Sequence, residues 1–133
     1  MGTVLFILNE APYGSERTYN ALRLAGTIAS RDEAQTRVFL MADAVGCAKS
    51  GQRVPTGYYN VQVMLDKVIK RGEVALCGTC MDARGITEAD LVEGARWNPA
   101  LSLDKGGFIA AVTESVPPRP AGMDAIVAAN PSA

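Results

Sequence analysis

The sequence predicts an α/β fold built on a mainly parallel sheet. Three observations carry the prediction. Short continuous apolar runs occur near residues 3–8, 36–42 and 73–77, amphipathic helical segments lie between them, and 133 residues with 48% apolar content suffice for one compact domain. Continuous rather than alternating apolar runs belong to strands covered on both faces. Strand and helix in alternation imply parallel strands joined by right-handed crossovers, with helices on both faces of the sheet.

The first run, TVLFIL at 3–8, is apolar and rich in β-branched residues. NEAPYGSE follows, and its Pro12 and Gly14 end the strand. Ser15 is placed to cap a helix reaching about Ser30, on which Thr18, Ala21, Leu22, Ala25 and Ile28 or Ala29 share a face. TRVFLMA at 36–42 is the second strand, and residues 43–58 read as a long polar loop carrying Cys47. A helix over about 59–70 follows, with Val61, Met64, Leu65 and Val68 on one side and Gly72 at its stop. EVALC at 73–77 is the third strand. Thr87 and Asp90, spaced as a capping box, predict a third helix through Leu91, Val92 and Ala95.

Past Arg96 the composition changes, because residues 97–133 hold five of the seven prolines. GGFIAAV at 106–112 reads as one more strand and MDAIVAAN at 123–130 as a short helix or strand. SVPPRPAG at 115–122 reads as an extended linker. Trp97 is expected to anchor whatever follows the third helix. The organisation is therefore a core over 1–96 and a divergent C-terminal segment, 97–133, of the same domain.

In a parallel sheet the loops that leave the strands emerge at the carboxyl edge, where ligands bind. Residues 9–16, 43–58 and 77–86 should share that rim. All three cysteines, Cys47, Cys77 and Cys80, belong to it.

Composition excludes several function classes. Thirteen basic against fourteen acidic residues give a net charge of −1, and no basic cluster marks a nucleic-acid surface. The opening residues lack a secretory pattern and the apolar run at 4–8 is too short for a bilayer, so a cytoplasmic protein without membrane attachment is expected. Three cysteines without an export signal argue against a disulfide framework. The chain has no histidine, which rules out Ser-His-Asp and Cys-His catalysis within one chain.

The stretch CGTC at 77–80 admits four readings. A zinc site lacks half of its ligands, since no histidine and only Cys47 remain. A thioredoxin-like pair would open the helix after an early strand, whereas this one follows the third, although a reversible Cys77–Cys80 disulfide stays open. A single nucleophile fits the end of a buried strand, where Arg84 and loop amides could stabilise a Cys77 thiolate. Equally, Cys77 could be the last core residue of its strand. Asn9, Tyr13, Gly14, Gly78, Thr79 and Asp82 are the candidate substrate contacts on the same rim. NEAPYGSE could receive an anion or form only a turn with a cap. Tyr58 and Tyr59 could line a pocket or pack against a neighbour, and Asp82 with Arg84 reads as a loop ion pair.

Four separated segments, LFILNEAPYGSERTYNALRLA, RVFLMADAV, GQRVPTGYYNVQVML and LCGTCMDARGI, resemble the DsrE/DsrF-like sulfur-relay family, and within it the small bacterial YchN-like branch. The resemblance covers about residues 3–96, and residues 97–133 depart from the family's usual ending. It implies a three-layer α/β/α fold with a mainly parallel, flavodoxin-like sheet and assembly into trimers or hexamers. It also implies that Cys77, eight residues before Gly85, accepts sulfane sulfur as a persulfide, with Cys80 in a resolving role. Cys47 has no counterpart.

The expected function is a sulfur-carrier or sulfurtransferase-like protein, without cofactor or metal, that exchanges sulfur with a donor or acceptor protein. Two alternatives are kept. One is a non-catalytic oligomeric module that binds a small ligand or partner and has structural cysteines. The other is a Cys77–Cys80 redox switch.

Overall fold

The structure, a computed structural model, describes residues 2–98, 103–114 and 128. The chain divides after Leu103 into two units. The first holds a four-stranded sheet of β1 (Gly2–Leu8), β2 (Ala34–Leu40), β3 (Glu73–Cys77) and β4 (Ala95–Asn98). All three pairings are parallel. Helices α1 (Glu16–Arg31) and α2 (Val61–Ile69) lie between the first three strands, as the α/β reading predicts.

The strand order is β1-β2-β3-β4, without a reversal. Right-handed crossovers that always step the same way carry their helices to the same face. Accordingly Val38, Leu40, Val74 and Leu76 form one buried cluster with Leu22 and Ala25 of α1 and Leu65 and Val68 of α2. Alternation along the strands sends the intervening residues to the other face. There Ile7, Phe39 and Ala75 run in register across the sheet, as do Leu5, Arg37 and Glu73. Leu5 and Ile7 are 56% and 60% exposed, and Arg37 pairs with Glu73 at 3.1 Å.

Helix α1 buries Thr18, Leu22, Ala25 and Ala29, the stripe expected from its spacing. Helix α2 begins two residues later than expected, because the Asn60 side chain accepts from the Val63 N–H and fixes its start. The second strand ends at Leu40. What the sequence suggested as the beginning of a polar loop is a 3-10 turn, Ala42–Ala48, that buries Ala44, Val45, Cys47 and Ala48.

The third helix expected around Leu91 does not form. Its capping box does, with the Thr87 N–H and hydroxyl both donating to Asp90 Oδ2 at 2.8 Å. It closes only a single 3-10 turn, Glu88–Asp90. Beyond it the Val92 N–H donates to the Ala48 carbonyl at 2.8 Å and Leu91 bridges to Lys49. Gly94, at φ +89°, then turns the chain into β4. Backbone partners from a distant loop outcompete the helix.

The second unit contains α4 (Lys105–Thr113), started by Asp104, whose carboxylate accepts from the Gly107 N–H at 2.7 Å. Residues 106–112 are thus helical rather than the expected strand. The readings of 115–122 and 123–130 lie outside the described residues, apart from Ala128. Among the described residues no helix is long and apolar enough to cross a membrane.

Candidate cysteine site at the carboxyl edge of the sheet

Strand β3 stays extended through Cys77, which caps a five-residue helix, α3 (Gly78–Asp82). Gly78 follows because no side chain fits: a Cβ there would overlap the Trp97 indole and crowd the Asn98 carbonyl of β4. Two backbone bonds close the helix, from Gly85 to Asp82 at 3.1 Å and from Ile86 to Met81 at 3.0 Å. Gly85, at φ +63°, supplies the left-handed residue this closure requires.

Cys77 follows Leu76 and so belongs to the opposite, open face of the sheet. It is 1% exposed but lies outside the main buried cluster, against which Cys80 is partly buried. The reading of Cys77 as simply the last core residue of its strand does not describe this position. Burial raises its thiol above the ordinary value, and the neighbouring Cys80 side chain raises it further. The backbone N–H groups of Cys80 and Thr79 oppose that rise by hydrogen bonding the sulfur. The balance favours the neutral thiol, in contrast to the stabilised thiolate expected from the sequence.

Arg84 accounts for part of that contrast. Its Nε and Nη2 donate to Asp43 Oδ1 at 3.1 and 2.9 Å, and its Nη1 donates to the Cys80 carbonyl at 3.0 Å. The guanidinium is one helical turn beyond Cys80, where it binds a terminal carbonyl and reaches across to the 42–48 turn. It pairs with neither Asp82 nor the Cys77 sulfur.

The remaining candidates separate into two groups. Gly78 and Thr79 adjoin Cys77, and Asp82 lies in a shallow hollow with Met81, Ile86 and Trp97. On the other loop the Tyr13 hydroxyl donates to Gln52 Oε1 and accepts from the Val61 N–H at 3.2 Å. Its ring stacks on Tyr59 at 5.8 Å, so Tyr13 ties the first loop to the start of α2. Gly14 lies against Ala11, where a Cβ would approach to 3.3 Å. Asn9 lines a small hollow with Ile7, Glu10, Arg17 and Thr18.

Cys47 shares the rim in sequence but points into the core. It is fully buried, and burial pushes its thiol up to about 12. Among the described residues no group of three or more Cys, Asp or Glu could hold a metal ion. Asp43, Trp97 and Asn98, which complete the surroundings of α3, were not singled out from sequence. ARWN between Gly94 and Pro99 has the length of a strand bounded by breakers, a signal that could have located the last two.

Residues 3–116 match the DsrE/DsrF-like family. The chain is 41% identical over 118 residues to Protein YchN of Escherichia coli (strain K12), covering 79% of this chain and 97% of that one. An uncharacterized protein of Methanopyrus kandleri is 41% identical over 92 residues, covering 68% of this chain and 74% of its own. The crystal structure of the YchN protein from E. coli superposes with a TM-score of 0.71 at 36% identity, over 87% of this chain and 95% of that one. The chain belongs to the DsrE/DsrF-like family.

Proposed function

We propose that this protein is a sulfur carrier, or sulfurtransferase-like protein, in which Cys77 holds a persulfide. One observation carries the reading: a cysteine at the carboxyl edge of the sheet, outside the main core, with a second thiol and two amide N–H groups beside it. The Cys77 thiolate attacks the outer sulfur of a donor persulfide. A bond forms between Cys77 Sγ and the sulfane sulfur, the donor S–S bond breaks, and the donor thiolate takes up the proton that Cys77 lost. An acceptor thiolate then removes the outer sulfur and regenerates Cys77. Alternatively Cys80 attacks Cys77 Sγ, expels hydrosulfide and leaves a Cys77–Cys80 disulfide, which an external dithiol reduces. The thiolate is supported by the Thr79 and Cys80 amides; Arg84 has no part in it.

Incubation with a cysteine desulfurase and cysteine, followed by intact mass measurement, tests the proposal. Wild type should gain the mass of sulfur and Cys77→Ser should not. A wild type that gains none, or a Cys77→Ser variant that still does, overturns it.

The closeness of the two thiols also supports a redox switch. In that case mild oxidant removes two hydrogens from the monomer mass with no transfer of sulfur. The reading places the protein in the cytoplasm with a sulfur donor or acceptor protein. Assembly into trimers or hexamers is supported by the exposed Leu5 and Ile7 and is measured by analytical ultracentrifugation.

A further inference from the structure

The largest described cavity is remote in sequence from the cysteine turn. It is a groove of about 480 Å³ between α1 and α2, lined by Leu22, Arg23, Gly26 and Met64, with Lys67, Lys70 and Arg71 along its border. That volume is in the range of small-molecule sites. Four cations line it and no carboxylate does.

Part of this charge has a local explanation. Lys67, Lys70 and Arg71 follow the end of α2, where cations offset the partial negative charge of a helix C-terminus. Arg71 also donates to Asp32 at 3.0 Å and to the Ser30 carbonyl at 3.3 Å. One carboxylate and two helix ends of about half a charge each leave an excess of about two positive charges. Lys67 and Lys70 make no ion pair among the described residues. Arg23, midway along α1, is held at 5.4 Å over the Tyr19 ring.

Gly26 is the second observation. It interrupts α1 where a helix gains stability from almost any other residue. A Cβ there would meet nothing within 4 Å, so close packing does not require the glycine. Its effect is to keep the groove open.

We propose that the α1–α2 groove binds a small phosphomonoester with an apolar body. The dianionic phosphate matches the charge excess and takes donors from Lys67, Lys70 and Arg23. The Thr27 and Ser30 hydroxyls are committed to helix carbonyls, so the cations supply the recognition. The apolar body lies over Leu22, Gly26 and Met64.

Titration calorimetry with 4-nitrophenyl phosphate at low salt tests this. Saturable one-to-one binding should be at least tenfold tighter than that of inorganic phosphate or of 4-nitrophenol. Gly26→Leu, which fills the groove and favours the helix, should weaken it more than tenfold with unchanged circular dichroism. The double variant Lys67→Ala/Lys70→Ala should do the same, and Cys77→Ser should bind normally, which separates this site from the sulfur chemistry. No saturable binding, equal affinity for inorganic phosphate, or undiminished binding by Gly26→Leu overturns the proposal. So does a glutamate-rich peptide that occupies the groove when the ester does not.

Discussion

The turn after β2 and the turn after β3 leave the same edge of the sheet, each hides a cysteine, and the two cysteines differ in every chemical respect. Cys47 is surrounded by the main core, and nothing compensates the burial of its sulfur beyond a weak backbone hydrogen bond. Cys77 is hidden to nearly the same degree on the other face of the sheet, with two amide N–H groups and another thiol against it. Solvent exposure therefore fails to separate an inert cysteine from a chemically poised one. The polarity and identity of the surrounding groups do.

Alkylation kinetics break this comparison most sharply. A thiol raised from 9.0 to about 12 has about a thousandfold less thiolate at neutral pH than an ordinary one. With iodoacetamide and peptide mapping, Cys80 should react first, Cys77 more slowly, and Cys47 about a thousandfold slower than Cys80. A native-state rate for Cys47 comparable to that of Cys80 would remove the distinction.

Alkaline stability gives the next effect. The folded Cys47 thiol keeps its proton above the pH at which the unfolded chain releases it. Its contribution is complete below about pH 9 and is lost as pH climbs toward 12. Urea unfolding should show at most about 1.4 kcal/mol of loss per pH unit from this group. That slope should be absent from Cys47→Ala and retained in Cys77→Ser to a larger extent.

The smallest effect concerns the link between the two turns. Arg84 and Asp43 are 34% and 67% exposed, so Arg84→Ala should cost about 0.2–1 kcal/mol in urea unfolding. The pH dependence of Cys77 alkylation should remain in place. A Cys77 titration displaced upward by more than a unit in Arg84→Ala would restore to the guanidinium the thiolate role that its contacts deny it.

Legibility from the sequence follows the range of the interactions. EVALC matches β3 residue for residue, and the buried stripe of α1 is visible in its spacing, because both express local periodicity. The cysteine pair was legible as a pair, and strand alternation could have assigned Cys77 to the face opposite Leu76. The partner of Arg84 was not legible, since Asp43 is 41 residues away and a nearer carboxylate, Asp82, competes for attention. The expected helix at Leu91 failed for the same reason. Its capping box is local, whereas the Ala48 and Lys49 backbone that redirects the chain is not. The 42–48 turn was misread because small apolar residues between polar neighbours resemble a loop until the core that receives them is known.

One feature of the sheet reaches furthest into the proposed chemistry. Open α/β sheets house their ligands in the crevice where strand order reverses and helices part to either side. A sheet that winds in one direction has no such parting. On the proposed chemistry Cys77 works from a ledge instead of a cleft, and water is excluded from the transferred sulfur only while a second protein surface covers it. Free persulfides of low molecular weight would then be poor donors beside protein-bound ones, so docking, more than thiol acidity, would set the rate.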